Sequence, residues 1–237
     1  MNQLLIILSA LLLVACASVA PALPSDNHVA VNFQRPDAGA FIVMLPPEAE
    51  LPELQPGLAP LKAQLHKQLR AAGYRVAILD ESNYATIWAQ EVQVVGGIYD
   101  PVTGNPRETE FSRALVALAQ RVGAETKAVL ILRPRLIMRT AKLTGAGAVW
   151  DGQQRRVPTL GLDGGSIRYD GNTQGVSVQL IALTSNGALA LRTYGGASLP
   201  WRANLITKQN EFRPDLFDND GEVSDAVALA LGPLVSK

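Results

Sequence analysis

The chain has 237 residues, with 21 Lys and Arg balanced by 21 Asp and Glu. That length allows one sizeable domain or two small ones, and 48% hydrophobic residues suffice for a core. Zero net charge excludes a protein that holds nucleic acid by generic counterion release, one Cys excludes a disulfide framework or a Cys-rich metal site, and two His leave little for His-based catalysis.

The chain opens with an apolar run from Leu4 to Val14, broken only by Ser9. It is shorter than the ~20 residues that span a bilayer core and matches the ~7–15 residues of a signal-peptide apolar region. The end of that run and the two residues after it, Leu13-Val14-Ala15-Cys16, resemble the lipobox of bacterial lipoproteins. The resemblance implies lipid on the Cys16 sulfur, removal of residues 1–15 and acylation of the new amino terminus. The alternative is plain secretion, with cleavage after a residue such as Ala20. Position 17 is Ala, not the Asp that commonly retains such lipoproteins at the inner membrane. The implied location is therefore the outer membrane, lipid-anchored and facing the periplasm. Residues 16–38 read as the lipidated Cys and a short Ala/Pro/Ser tether, and residues 39–237 as one globular domain.

Within that domain, Ala40–Leu45 is apolar on both parities and stopped by Pro46-Pro47, the pattern of a buried strand. Residues 46–57, rich in Pro and Glu, read as a loop. Leu58, Leu61, Leu65, Leu69 and Ala72 then follow helical spacing, with Gly73 as the stop. Tyr74–Leu79 reads as the next strand. Asp80 to Asn83 offer caps for a second helix with Tyr84, Ile87, Trp88, Val92 and Val95 on one face, ending at Gly96-Gly97. A third helix is expected from Asn105 as N-cap and Pro106 at its first position, with Phe111, Leu115, Leu118 and Val122 as its stripe and Gly123 as its end.

The period then changes. Ala128–Leu132 reads as a central strand running on through Met138 and Arg139. Asp151-Gly152 predicts a hairpin joining 146–150 to 153–157, and Asn186-Gly187 a second joining 176–184 to 188–193. Residues 158–174 read as an exposed loop, and residues 222–231 as a last helix. Early βα units followed by antiparallel hairpins predict an α+β fold: a mixed sheet with helices mainly on one face.

Chemistry is sparse along this chain. It has no phosphate-binding glycine loop and no nucleophile elbow, and His28 and His66 cannot form a metalloprotease pair. His66 reads as a surface residue on the first helix. Glu48 and Glu50 lie in a Pro-rich loop, and 5% aromatics argue against the sugar cleft that paired carboxylates would need. The acidic cluster at 218–222 fails the EF-hand spacing and reads as a helix cap. The expectation is a protein with no cofactor, no metal and no catalytic residues. Arg133, Arg135 and Arg139 share one strand parity, and Arg155 and Arg156 lie on a nearby hairpin beside Trp150. These six form a candidate interaction patch for an anionic or acidic partner.

A strand ending in Pro-Pro, a helix, Ala72-Gly73-Tyr74, a strand and a late Trp150-Asp151-Gly152 hairpin resemble a group of bacterial periplasmic lipoproteins. Its fold is that of the TolB amino-terminal domain, the curli secretion lipoprotein and the lipoprotein activator of penicillin-binding proteins. The resemblance implies a binding and assembly role with no catalytic residues. The partners expected are a membrane, through the lipid on Cys16, and an envelope protein. The alternative is a homo-oligomeric secretion or transport component of the outer membrane.

Overall fold

The computed structural model describes residues 26–145, 147–157, 170–204, 206–207 and 209–235. The expected signal segment, Cys16 and residues 17–25 of the expected tether lie outside the described residues, as do residues 158–169 of the expected loop.

The sheet is mixed, as the α+β expectation requires. Its main path runs β1 (His28–Val29), β9 (Leu189–Gly196), β8 (Asn172–Thr184), β5 (Leu130–Thr144), β2 (Phe41–Met44) and β4 (Arg75–Ile78). Strands β2 and β4 are parallel, β2 and β5 are parallel, and β8 is antiparallel to both β5 and β9. β5 is long enough to take further partners on its β2 side: β3 (Glu48–Ala49), then β6 (Gly147–Trp150), which pairs with β7 (Gln153–Arg156). A separate hairpin joins β10 (Trp201–Asn204) to β11 (Gln209–Phe212).

β2 alternates between two cores, because successive strand side chains point to opposite faces. Ile42 and Met44 join Leu61, Leu65 and Leu69 of α1 (Leu58–Ala71), Val223 and Val227 of α4 (Asp220–Ala230) and Leu234 of α5 (Gly232–Val235). Val43 and Leu45 join Ile87 of α2 (Glu81–Val94) and Leu115, Leu118 and Val122 of α3 (Glu108–Thr126). The helices are thus shared between both faces, which refines the expectation that they lie mainly on one. The both-parity apolar run at 40–45 is the physical cause, since it needs cover on each side.

Several local expectations are corrected. The Pro/Glu-rich stretch contains β3 and a 3₁₀ helix, Pro52–Gly57, whose Leu54 is fully buried. α3 begins after Arg107, not at Pro106, because Pro106 instead bridges back to Tyr99. It runs past Gly123 to Thr126 and ends on Lys127 at φ 61°. Gly123 is there for proximity: a Cβ on it would lie 2.9 Å from Ser185 Cα.

Pro134 sits inside β5. Leu132 and Leu136 accept from Leu45 N and Glu50 N at 2.8 and 2.9 Å. The Pro134 position between them therefore faces the gap between β2 and β3, at Pro46-Pro47, where no donor is needed.

Both hairpins form. Asp151 and Gly152 have φ 39° and 77°, as a type I′ turn requires. At the second, Gly187 N donates to Thr184 O at 2.8 Å and Thr184 N to Ala188 O at 2.9 Å. That is a three-residue loop between Thr184 and Ala188, as the expected strand bounds require, in which only Gly187 has positive φ: a type I turn with a glycine bulge.

Candidate interaction surface

The odd-numbered residues of β5 face the α3 side of the sheet. Ile131 is covered by the helices there. Arg133, Arg135 and Arg139 make that face polar in part, and two ion-pair centres occupy it, while Ile137 and Ala141 of the same parity are buried.

The first centre is built on Glu48, which the β3 register places beside Arg135. Arg133, only 7% exposed, donates to Glu48 through Nη2 at 2.5 Å and Nε at 3.3 Å. Its guanidinium lies 5.1 Å from the centre of the Phe111 ring. Arg135 Nε is 3.6 Å from the same carboxylate, and its Nη1 donates to Gln179 at 3.3 Å. The Tyr84 hydroxyl donates to Glu48 Oε1 at 2.9 Å. Burial pushes the Tyr84 phenol well above its usual range, and the Glu48 charge adds to the rise. Tyr84, Trp88 and Phe111 form an aromatic row beside this centre, with Trp88 edge-on to Phe111 at 5.5 Å.

The second centre is built on Asp151, which the tight turn folds back over β5. Arg139 grips it with two bonds of 3.1 Å, a planar fork on a carboxylate. Its Nη2 also donates to Asp26 at 2.6 Å, and its guanidinium stacks 4.1 Å from the centre of the Tyr194 ring. Burial alone would lower the Arg139 pKa. The bonds to Asp151 and Asp26 outweigh it and hold the guanidinium above its usual value. Ser177 completes the centre, donating to Asp151 at 2.6 Å.

Of the six residues expected as one patch, Arg133, Arg135 and Arg139 do share a face. Trp150 is 1% exposed, with Nε1 donating to Val176 O at 3.2 Å. Its ring fills the space above Gly175, where a Cβ would come within 2.5 Å of it. Arg155 and Arg156 alternate on β7. Arg155 reaches Ala197 O and Asp225 of α4, each at 3.0 Å, while Arg156 is exposed. The six are therefore distributed over separate centres, and the interior position of Trp150 corrects its reading as a contact residue.

Sequence reasoning missed the counter-charges. Asp151 was legible only as a turn residue, and Glu48 only as half of a loop carboxylate pair with Glu50. Glu50 is engaged elsewhere, accepting from Met138 N at 2.6 Å. No spacing signal links Asp26 to Arg139, which are 113 positions apart.

Two clefts lie elsewhere on the surface. One, of about 540 Å³, lies between α3 and β8–β9, with Phe111, Leu115, Ile181 and Leu189 among its walls and Glu108 and Arg192 contributing charge. The other, of about 690 Å³, lies between residues 30–37 and the β8–β9 turn. Among the described residues, no group of three or more His, Cys, Asp or Glu could hold a metal ion, and no helix is long and apolar enough to cross a membrane.

No family model matches the chain. No curated protein matches it by sequence either. Among solved structures it is similar to the PelC dodecamer from Paraburkholderia phytofirmans, with TM-score 0.43 and 12% identity over 90% of this chain and 98% of that one. A point variant of the same dodecamer gives TM-score 0.42 and 13% identity over 90% and 99%. Neither match names the TolB-like group. At this distance the likeness bears on neither the function nor the assembly of this chain.

Proposed function

We propose that this is a lipid-anchored envelope protein, facing the periplasm from the outer membrane, that docks other envelope proteins without catalysing a reaction. The observation that carries the reading is Leu13-Val14-Ala15-Cys16 directly behind the apolar run, with the only thiol of the chain at the position a lipid transfer needs. The geometry is compatible with it. Asp26 is fixed to the domain through Arg139, only ten positions after Cys16 (26 − 16). Ten residues reach at most about 36 Å when extended, so an anchor at Cys16 keeps the domain close to the bilayer. Arg133, Arg135 and Arg139 are met by Glu48, Asp151 and Asp26, an arrangement suited to a fixed recognition surface more than to proton transfer.

Cell fractionation of wild type and Cys16→Ser tests the reading, with the mass of the mature amino terminus as a second measurement. The expected result is an acylated Cys16 and membrane retention in wild type, and release of Cys16→Ser with its fold intact. Equal partitioning of both into the membrane would overturn it. Native mass in detergent separates docking from the alternative, since a large ring would favour a secretion or transport component.

A further inference from the structure

The sheet has two ends, and Asp26, where the described residues begin, lies toward one of them. β1 is antiparallel to β9, with His28 opposite Arg192 and Val29 opposite Leu191. Going upstream from His28 therefore means moving along β9 toward Gly196. Asn27 Oδ1 accepts from Tyr194 N at 2.9 Å and Asp26 meets Arg139, which confirms the direction. In the β5–β8 register Arg139 lies opposite Gly175 and Lys142 opposite Asn172, so Asp26 lies toward the end of the sheet where β5 finishes and β8 starts.

The β10–β11 hairpin projects from that same end. After β9 the chain continues alongside the start of β8: Ala197 N donates to Val176 O at 2.8 Å, and Trp201 Nε1 to Gln174 Oε1 at 2.9 Å. Trp201 is 37% exposed and is backed edge-on by Phe212 at 5.4 Å. Ile206, in the turn between the two strands, is 93% exposed. Lys142 on β5 and Arg156 on β7 are exposed at this end too. An exposed apolar tip, a tryptophan with its N–H bonded and its ring partly open, and nearby cations are the chemistry of a membrane–water interface.

We propose that this end of the sheet is a second membrane contact, in which Ile206 and Trp201 enter the interfacial layer of a glycerophospholipid bilayer and Lys142 and Arg156 meet its phosphates. The inference rests on the lipid anchor proposed above, whose short reach holds this end against the bilayer. The contact fixes the orientation of the domain: it turns the opposite end, with the β8–β9 turn and the larger cleft, toward the periplasm. Acyl chains on one residue attach the protein at a single point, and a protein surface that also engages lipid adds a second, orienting attachment.

The test uses the full mature chain reconstituted into phosphatidylethanolamine/phosphatidylglycerol vesicles, with and without bromine on the acyl chains. Bromine quenches tryptophans that enter the bilayer. The expected result is loss of the Trp201 emission in brominated vesicles, no quenching in Trp201→Phe, and reduced quenching in Ile206→Asp, whose exposed position leaves the fold unaffected. Mass spectrometry of Cys16 in the same samples keeps the two readings apart. An acylated chain that floats with the vesicles but shows equal emission with and without bromine overturns this inference and leaves the anchor standing. A chain without acyl mass overturns the anchor, and the inference falls with it.

Discussion

The two ends of β5 solve different problems with one strand. At its start, Leu130, Ile131 and Leu132 are apolar on both faces, and helices cover both: α1 and α4 on one side, α2 and α3 on the other. From Arg133 the second face takes charged residues, although Ile137 and Ala141 on it are again buried. Leu136 still joins the α1–α4 core, while Arg133, Arg135 and Arg139 lie on the other face, among Glu48, Gln179, Asp151 and Tyr194. The entry of charged residues on that face marks where the α2–α3 layer stops covering the sheet. Past that boundary, ion pairs and aromatic stacking order the surface alongside a small apolar cluster of Ala141, Ala148, Trp150 and Leu199. Such pairs are worth little net stability when solvent-exposed but impose geometry, which suits a surface that must present a fixed shape.

If this contrast is right, truncation should cost most where both layers are present. Leu118, fully buried on α3, should lose about 2–5 kcal/mol on replacement by Ala, the usual cost of a core cavity. Gln179→Ala, on the polar part of the same sheet, removes two hydrogen bonds and should cost about 1–2 kcal/mol. Urea unfolding of the two variants measures both. Equal losses would mean the polar face is as essential to folding as the two-sided core.

The two hairpin glycines sharpen the contrast at finer scale. Gly187 and Gly152 have φ 85° and 77°, so a side chain strains both. Gly187 also lies against α3, where a Cβ would meet Val116 Cγ1 at 2.6 Å and Val116 O at 3.2 Å. Gly152 faces only the flexible Leu229 side chain, at 3.2 Å. Gly152→Ala should cost about 1 kcal/mol from backbone strain alone. Gly187→Ala should cost about 1–3 kcal/mol more, because overpacking adds to that strain. The difference in unfolding midpoints reads this directly, and a larger loss at Gly152 would contradict it.

Legibility followed the same boundary. The doubly apolar run at 40–45, the Leu61-Leu65-Leu69 stripe and both hairpin turns were readable because each is a local pattern whose physics closes within a few residues. Asp80 was readable as a cap for the same reason. Its carboxylate accepts from Ser82 N and Asn83 N, and those bonds, with the Ser82 hydroxyl, hold its pKa below the usual range. What failed needed distant partners. Gly123 passed for a helix stop, although its role is to let Ser185 approach. Trp150 passed for a surface aromatic because nothing local shows that Gly175 leaves room for its ring. The candidate surface was half legible: three arginines of one parity were visible, but their counter-charges come from a two-residue strand, a turn and the amino-terminal segment.

Tyr84 sits on the boundary itself, half-buried on α2 with its hydroxyl on Glu48, and it yields the smallest and most specific expectation. At neutral pH, Tyr84→Phe removes one hydrogen bond and should cost about 1 kcal/mol. Its pH dependence carries more information. The folded phenol has a raised pKa, first through burial and then through the Glu48 charge, while an unfolded tyrosine titrates near 10. Below about pH 10 both states hold the proton and the contribution of Tyr84 is constant. Above it the unfolded chain releases the proton while the folded chain keeps it, so wild type loses stability as pH rises. Tyr84→Phe has no such proton to lose. The gap between wild type and variant should therefore shrink with increasing pH on the alkaline side. Other alkaline titrations, including that of Tyr74, occur in both proteins and cancel in the difference. Urea midpoints across the alkaline range measure the gap. A gap that stays constant there would mean the Tyr84 hydroxyl is not held neutral against Glu48, and that the edge of the helical layer is more open to solvent than its packing on Trp88 and Phe111 implies.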